Sequence, residues 1–372
     1  MKQKNGRNRS PKPSIIGTGL IAMDVLSTGD DPQLSKRWAG GTCGNVLTIL
    51  SYLGWNSFPV TRLNGETASR RVLRDLKRWG VNLDFARCQP RADTPIIIHK
   101  IIRNENGEAV HRFSLKCPHC GSWLPTFRPI TVAAAKKVCA LIETPKVFFF
   151  DRVSPGSMIL ARDCAAKGAL IVFEPASIDK EDRFVEALSL AHVLKYSSER
   201  LDDIQALGLK EKPLIEIETQ GEHGLRYRSG LPSAHTNKWH NLAPYPTAAL
   251  KDAAGAGDWC TAGIISRLGE HGLKGLVRTG AKELQAAIQY GQALAAWNCG
   301  FEGARGGMYE VDQQTFRRQV SKIEKQGSPS LSEEAKNLDL RRDGSLTQIP
   351  IRVPPSTGRP PSPSRTQDAC CF

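Results

Sequence analysis

Asp252-Ala253-Ala254-Gly255-Ala256-Gly257-Asp258 runs directly into Trp259-Cys260-Thr261-Ala262-Gly263-Ile264-Ile265. Small residues and a carboxylate stand where an apolar, helix-like segment begins. A helix N-terminus offers N–H groups with no intrahelical acceptor and the positive end of a dipole, which suits an anion. Gly255, Ala256 and Gly257 let a phosphoryl group approach that backbone closely. Asp258 then lies within reach to accept a proton from an attacking hydroxyl. An anion cradle beside a base is the minimum equipment of phosphoryl transfer. Taken alone, the heptad reads equally as a loop closed by an N-cap Asp.

Outward from this stretch, the hydrophobic pattern alternates between two periods. After the heptad, 257–268 and 281–298 read as apolar helices. Before it, helix (131–142), strand (146–150), helix (156–167), strand (169–173), helix (181–189) and strand (191–195) succeed one another, with a further strand at 213–218. Such alternation implies an α/β fold in which helices cover both faces of a mainly parallel, doubly wound sheet, making three layers. Sheets of this kind bind ligands at the carboxyl ends of their strands. Residues 85–114 differ: Pro95-Ile96-Ile97-Ile98 and Ala109-Val110-His111-Arg112-Phe113 flank the turn signal Asn104-Glu105-Asn106-Gly107, which reads as a β-rich insert outside the alternation.

Three further motifs precede the heptad. Gly17-Thr18-Gly19 leads to Asp24 after the first strand, Gly40-Gly41-Thr42-Cys43-Gly44-Asn45 opens a helix, and Thr219-Gln220-Gly221-Glu222-His223-Gly224 ends a strand. Each has a plain-turn alternative, which weighs evenly only for the Thr219–Gly224 piece. In this order they resemble the ribokinase-like family of small-molecule kinases, the PfkB carbohydrate kinases, over roughly residues 13–310. The Gly-Gly-x-x-x-Asn and Asp-x-x-Gly-Ala-Gly-Asp pair carries most of that specificity. No Gly-x-x-x-x-Gly-Lys-[Ser/Thr] loop and no protein-kinase motif set is present.

The resemblance implies roles. Asp24, Gly40, Gly41 and Asn45 would hold the hydroxyls of the substrate. Thr219, Gly221 and Gly224 would line the nucleotide, with Gln292 near its adenine end and Gly303-Ala304 as a small-residue turn there. Asp258 would be the base and Gly255–Gly257 the anion hole, with Asp252 the fixed carboxylate that opens the motif. The insert at 85–114 would be a lid that closes over the sugar, excludes water and provides a homodimer contact. ATP and Mg²⁺ are the implied cofactors. One departure bears on the metal: where the family carries Asn-x-x-Glu, this chain has Ser197-Ser198-Glu199-Arg200, so Ser197 replaces Asn, Arg200 falls at the Glu position, and Glu199 is the substitute carboxylate.

Cys117-Pro118-His119-Cys120-Gly121 is a separate feature. Two thiolates at this spacing form half of a tetrahedral zinc site, for which Cys88, His99, His111 or a second subunit would supply the rest. The alternative is a pair of thiols in a turn.

The 372 residues divide into a basic tail (1–12), a body (13–325) and a Pro/Ser-rich tail (326–372) that reads as disordered. The net charge of +14 suits a polyanionic nucleotide as well as a nucleic acid, and the absence of a basic stripe interleaved with aromatics disfavours the latter as main partner. No apolar run reaches membrane-spanning length, the start lacks a signal-peptide core, and the ten cysteines are scattered, so the expected compartment is the cytoplasm. The reading is an ATP-dependent kinase acting on a hydroxyl of a small sugar. A nucleoside kinase of the same fold, a catalytically weak binding or regulatory protein, and a zinc-stabilised nucleic-acid binder are the alternatives.

Overall fold

The computed structural model describes residues 11–27, 36–89, 92–103, 109–118, 120–178, 180–201, 204, 212–247 and 250–326, with backbone alone for 100–103, 109–112 and 237. Both tails beyond 11–326, the 104–107 turn, His119 and the side chain of His111 lie outside the described residues.

The main sheet has eight strands. In spatial order they are β14 (Thr236–Leu242), β13 (Leu225–Ser229), β12 (Ile215–Thr219), β11 (Val193–Ser197), β10 (Leu170–Phe173), β9 (Val147–Phe150), β1 (Ser14–Thr18) and β4 (Asn56–Pro59). From β12 to β4 every pair is parallel; β13 and β14 close one edge antiparallel. The parallel strands are apolar on both faces because both are covered. Along β9, Val147 and Phe149 enter one core cluster, Phe148 and Phe150 the other. The first cluster packs under α1 (Thr42–Tyr52), α2 (Thr67–Arg78), α6 (Ala256–Leu268), α8 (Ala281–Asn298) and α10 (Gln313–Gln326). The second packs under α3 (Val132–Cys139), α4 (Pro155–Ala166) and α5 (Glu181–Leu190). This is the three-layer, mainly parallel fold expected from the alternation. The bounds of α8 coincide with the sequence reading, and α10 carries the body to Gln326.

The small sheet is more composite than a single insert. Its order is β3 (Lys36–Gly40), β2 (Ala22–Ser27), β7 (Ile96–Arg103), β8 (Ala109–Ser114). Two of its strands therefore precede α1, and only β7 and β8 come from the 85–114 stretch. Ala86–Cys88 (β6) instead pairs with Thr61–Leu63 (β5) in a two-stranded sheet of its own. Period-2 alternation marks a strand without naming its partner, so β2 was indistinguishable from a continuation of the first body strand. The chain leaves β1 for β2 at Leu20, whose N–H donates to Asp151 Oδ1 at 2.9 Å.

Helices α6 and α8 cross through glycines. A Cβ on Gly263 would stand 2.7 Å from the Cα of Gly291, and one on Gly291 would stand 2.5 Å from the carbonyl oxygen of Cys260. Contact this close lets α6 lie flat against the core with its first turn over the sheet. Ala in place of a mid-helix Gly ordinarily gains about 1 kcal/mol. Here overpacking reverses the sign: Gly263→Ala is expected to lower stability by roughly 1–3 kcal/mol. Thermal denaturation checks this, and an unchanged or raised midpoint would contradict the packing argument.

Candidate active site

The glycine heptad ends in α6. Gly255 is the N-cap with φ 75, a left-handed conformation that disfavours any side chain, and a Cβ there would lie 2.3 Å from the carbonyl oxygen of Ala304. Ala256, Gly257 and Asp258 form the first turn. The Ala256 N–H donates to the Ala253 carbonyl, leaving Gly257 and Asp258 as the amides of this turn that have no helical acceptor. Asp252 is buried and ties the loop down: Oδ1 accepts from Ala254 N at 2.7 Å and Oδ2 from Gly303 N at 2.8 Å. Both bonds support the loop that the sequence marks with this fixed carboxylate.

Asp258 is half-buried, and its Oδ2 accepts from Asn45 Nδ2 at 2.7 Å. Burial, with the nearby charge of Glu174 adding to it, pushes its carboxyl up to about 7, while Asn45, Lys195 and Arg200 act in the opposite direction. Asn45 therefore orients the candidate base and is joined to it across the first turn of α1. Its Oδ1 is buried with no protein partner. Asp24 sits on β2, in register with Trp38 of β3, and packs so closely on Gly40 that a Cβ there would lie 1.8 Å from Asp24 Oδ2. Gly41 caps α1. Asp24, Gly40, Gly41 and Asn45, the residues expected to hold the substrate, are thus brought together at one junction of small sheet and body.

The residues expected to line the nucleotide, Thr219, Gly221 and Gly224, cluster with Ser197 at the ends of β11 and β12. Thr219 Oγ1 donates to the Tyr196 carbonyl at 3.2 Å, and Gly221 opens a short 3₁₀ turn that Gly224 closes. Ser197 closes β11; its carbonyl accepts from the N–H groups of Arg200 and Leu201. Glu199 Oε1 lies 3.1 Å from where a Cβ on Gly221 would be, so this carboxylate stands over the nucleotide-side loop. Gln292 is buried, 7% exposed, and its Nε2 donates to the carbonyls of Ala243 at 3.3 Å and Leu242 at 3.4 Å. It braces the chain after β14. Cys117 is buried and Cys120 exposed. Among the described residues no group of three or more metal-ligating side chains occurs. Of the partners considered for that pair, His99 stands against Asp24, Cys88 belongs to the β5–β6 sheet, and His111 and His119 are beyond what is described.

Two site residues were not anticipated. Glu174 follows β10 and Lys195 lies within β11; Lys195 Nζ donates to Glu174 Oε1 at 2.6 Å, and Glu174 Oε2 accepts from Thr261 Oγ1 at 2.6 Å. Burial alone would lower the Lys195 ammonium, but Glu174 beside it holds its pKa above the ordinary value. Both groups lie just below Gly257, whose absent Cβ would be 3.7 Å from Lys195 Nζ. The signal was available: a carboxylate directly after Leu-Ile-Val-Phe and a lysine inside Val-Leu-Lys-Tyr mark charges in the otherwise apolar carboxyl ends of neighbouring parallel strands.

A family model described as "pfkB family carbohydrate kinase" matches residues 19–310. A fructokinase of Klebsiella pneumoniae is 23% identical over 302 residues, covering 76% of this chain and 92% of its own. Among solved structures, a ribokinase from Giardia lamblia superposes with a TM-score of 0.65 at 16% identity, covering 86% of this chain and 100% of its own. A fructokinase with bound ATP from Xylella fastidiosa gives 0.64 at 17%, covering 85% and 99%. A Burkholderia thailandensis nucleoside kinase in complex with inosine gives 0.60 at 15%, covering 86% and 99%.

A carboxyl raised to about 7 in the fold, against about 3.9 when exposed, carries a stability consequence. A raised acid contributes stability that is present at low pH and lost as pH rises through about 7. Asp258→Asn removes that loss. Its melting temperature relative to wild type is expected to be more favourable at pH 8 than at pH 5; a constant difference across that range would contradict the raised pKa.

Proposed function

The chain belongs to the pfkB family of carbohydrate kinases, and from that membership we propose that it transfers a phosphoryl group from ATP to a hydroxyl of a small sugar, free or within a nucleoside. The observation that carries the reading is Asp258: a carboxylate with its pKa near 7 set in the opening turn of a helix whose amides face the same space. A base is most effective when its pKa lies near the working pH.

The mechanism rests on this chain's own groups. Asp24, with Gly40 and Gly41 against it, holds substrate hydroxyls at the small sheet. Asp258, oriented by Asn45, takes the proton of the attacking hydroxyl. The amides of Gly257 and Asp258 and the N-terminal end of the α6 dipole stabilise the charge that develops on the transferred group. Lys195 and Glu174, paired beneath Gly257, fix a cation and an anion under that turn. Closure of the small sheet over this junction excludes water, so the hydroxyl and not solvent is phosphorylated.

ATP fits the glycine-lined ground at Thr219, Gly221 and Gly224. Glu199, exposed over that loop, is the carboxylate suited to organise Mg²⁺, which when bound neutralises phosphate charge. A zinc ion at Cys117 and Cys120 rests on those two thiols alone among the described residues. The exposed Phe113, Leu115 and Trp123 favour a homodimer contact through the small sheet. No helix among the described residues is long and apolar enough to cross a membrane. A cytoplasmic site of action suits the buried thiols Cys43, Cys164, Cys260 and Cys299.

Asp258→Asn is expected to reduce turnover by roughly 10²- to 10⁴-fold while leaving the fold intact. In wild type, kcat/KM should rise with pH through about 7, because the base acts only when deprotonated. A flat profile or near-normal turnover in the variant would remove Asp258 from this role. Asp24→Ala acts on the other substrate: losing a charged acceptor costs about 1.5–3 kcal/mol, so sugar KM should rise at least tenfold with the KM for ATP unchanged. Equal loss for both substrates in steady-state kinetics would contradict the assignment.

A further inference from the structure

Beside the site described above lies a small cavity lined by Asp24, Trp38, His99, Asp252, Gly303 and Arg305, among others. Three buried polar atoms with no hydrogen-bond partner belong to its walls: Asp24 Oδ1, His99 Nε2 and Arg305 Nη1. Asp24 and Arg305 are only 9% and 2% exposed. His99 Nε2 stands 3.4 Å from Asp24 Oδ1 but is not aligned to bond it. Arg305 is fixed from behind. Its Nη2 donates to Asp75 Oδ2 at 2.9 Å and to the carbonyl of Ala39, and Asp75 also accepts from the N–H of Ala39 and from Tyr309 Oη. The guanidinium edge bearing Nη1 is left without such a partner. Groups buried this deeply are ordinarily paired with protein, water or ligand, and these three converge on one small cavity.

We propose that His99 and Arg305 are substrate-contact residues which, with Asp24, select a neutral vicinal diol. The inference rests on the sugar-kinase reading and narrows it. Asp24 Oδ1 accepts, Arg305 Nη1 donates, and His99 Nε2 does either according to its tautomer. A hydroxyl both donates and accepts, so two adjacent hydroxyls satisfy all three atoms. A carboxylate or phosphate would satisfy Arg305 but set its own charge against Asp24, with Asp75 and Asp252 close behind. Trp38, stacked on Tyr309 with ring centroids 5.4 Å apart, supplies an aromatic wall for the C–H face of a sugar. Neither His99 nor Arg305 belongs to the motifs that carry the family resemblance: one comes from β7, the other from the loop after α8.

The test uses the full chain with ATP in a coupled assay. D-fructose, D-ribose and inosine serve as neutral probes, D-gluconate and D-fructose 6-phosphate as anionic ones. Wild type is expected to turn over a neutral probe and to favour it over both anions. For that probe, His99→Ala and Arg305→Lys should each raise KM about tenfold, the loss of one well-formed hydrogen bond in a buried site. The KM for ATP should stay as in wild type, and His99→Gln, which keeps a hydrogen-bond donor and acceptor at the position, should recover part of the loss. A general structural defect would move both KM values together and would not be rescued. Sugar KM unchanged in His99→Ala, or a preference for an anionic probe, overturns the inference while leaving the kinase reading in place. No turnover of any probe by wild type overturns the kinase reading and the inference with it. Should Arg305→Lys fail to fold, His99→Ala decides, since His99 packs edge-on against the exposed ring of Phe113 and lies outside the Arg305–Asp75 network.

Discussion

The Lys195–Glu174 ion pair is the interaction on which the site's architecture depends. It joins β11 to the end of β10, and through the second carboxylate oxygen of Glu174 it reaches Thr261 on α6. Two charges have been taken out of water here, which is costly unless geometry and extra hydrogen bonds compensate. The 2.6 Å contact and the threonine hydroxyl provide that compensation. The result is a helix whose first turn is pinned over the carboxyl ends of two strands, with a fixed cation and a fixed anion beneath it. Removing one partner would strand the other and alter the potential at Asp258, because Glu174 raises that carboxyl while Lys195 lowers it. The pair thus ties down the helix that carries the candidate base and tunes a carboxyl that burial raises first.

Much of this was readable from residue patterns because helices and parallel strands impose their own periods. The alternation after residue 131 led to the correct layers, and the heptad at 252–258 to the correct opening of α6. The substrate-side set Asp24, Gly40, Gly41 and Asn45 does converge, although Asn45 engages Asp258, a contact between residues far apart in the chain that spacing does not reveal. What stayed hidden shares that non-local character. Glu174 and Lys195 are visible as charges in apolar strand ends and His99 as a lone imidazole, but with Arg305 they have no shared spacing; only the pairing of strands and the packing of the loop after α8 bring them together. Gln292 was named from the sequence, but its surroundings were not readable: a polar residue on a helix is usually solvated, and this one is buried bracing the end of β14.

The small sheet also draws on two separated stretches, and this decides how it is attached. The chain departs from β1 at Leu20, held by Asp151, forms β2 and β3, and returns at Gly41 straight into α1. It departs again for β7 and β8 only after α2. Asp24 is therefore carried on a strand wired at one end to the main sheet and, through β3, to the helix that bears Asn45.

That wiring makes the small sheet unlike a cassette. It cannot be cut out and exchanged for another through a single pair of splice points, because half of it is woven in ahead of α1. A chimera that borrowed only β7 and β8 from a relative would change His99 but keep Asp24. One that borrowed β2 and β3 would have to respect Asp75 and Arg305, which hold the backbone of Ala39 from the body side. In such a molecule, replacing the small sheet by recombination needs at least two coordinated grafts. Point changes at the few side chains lining the seam are the shorter route through sequence space.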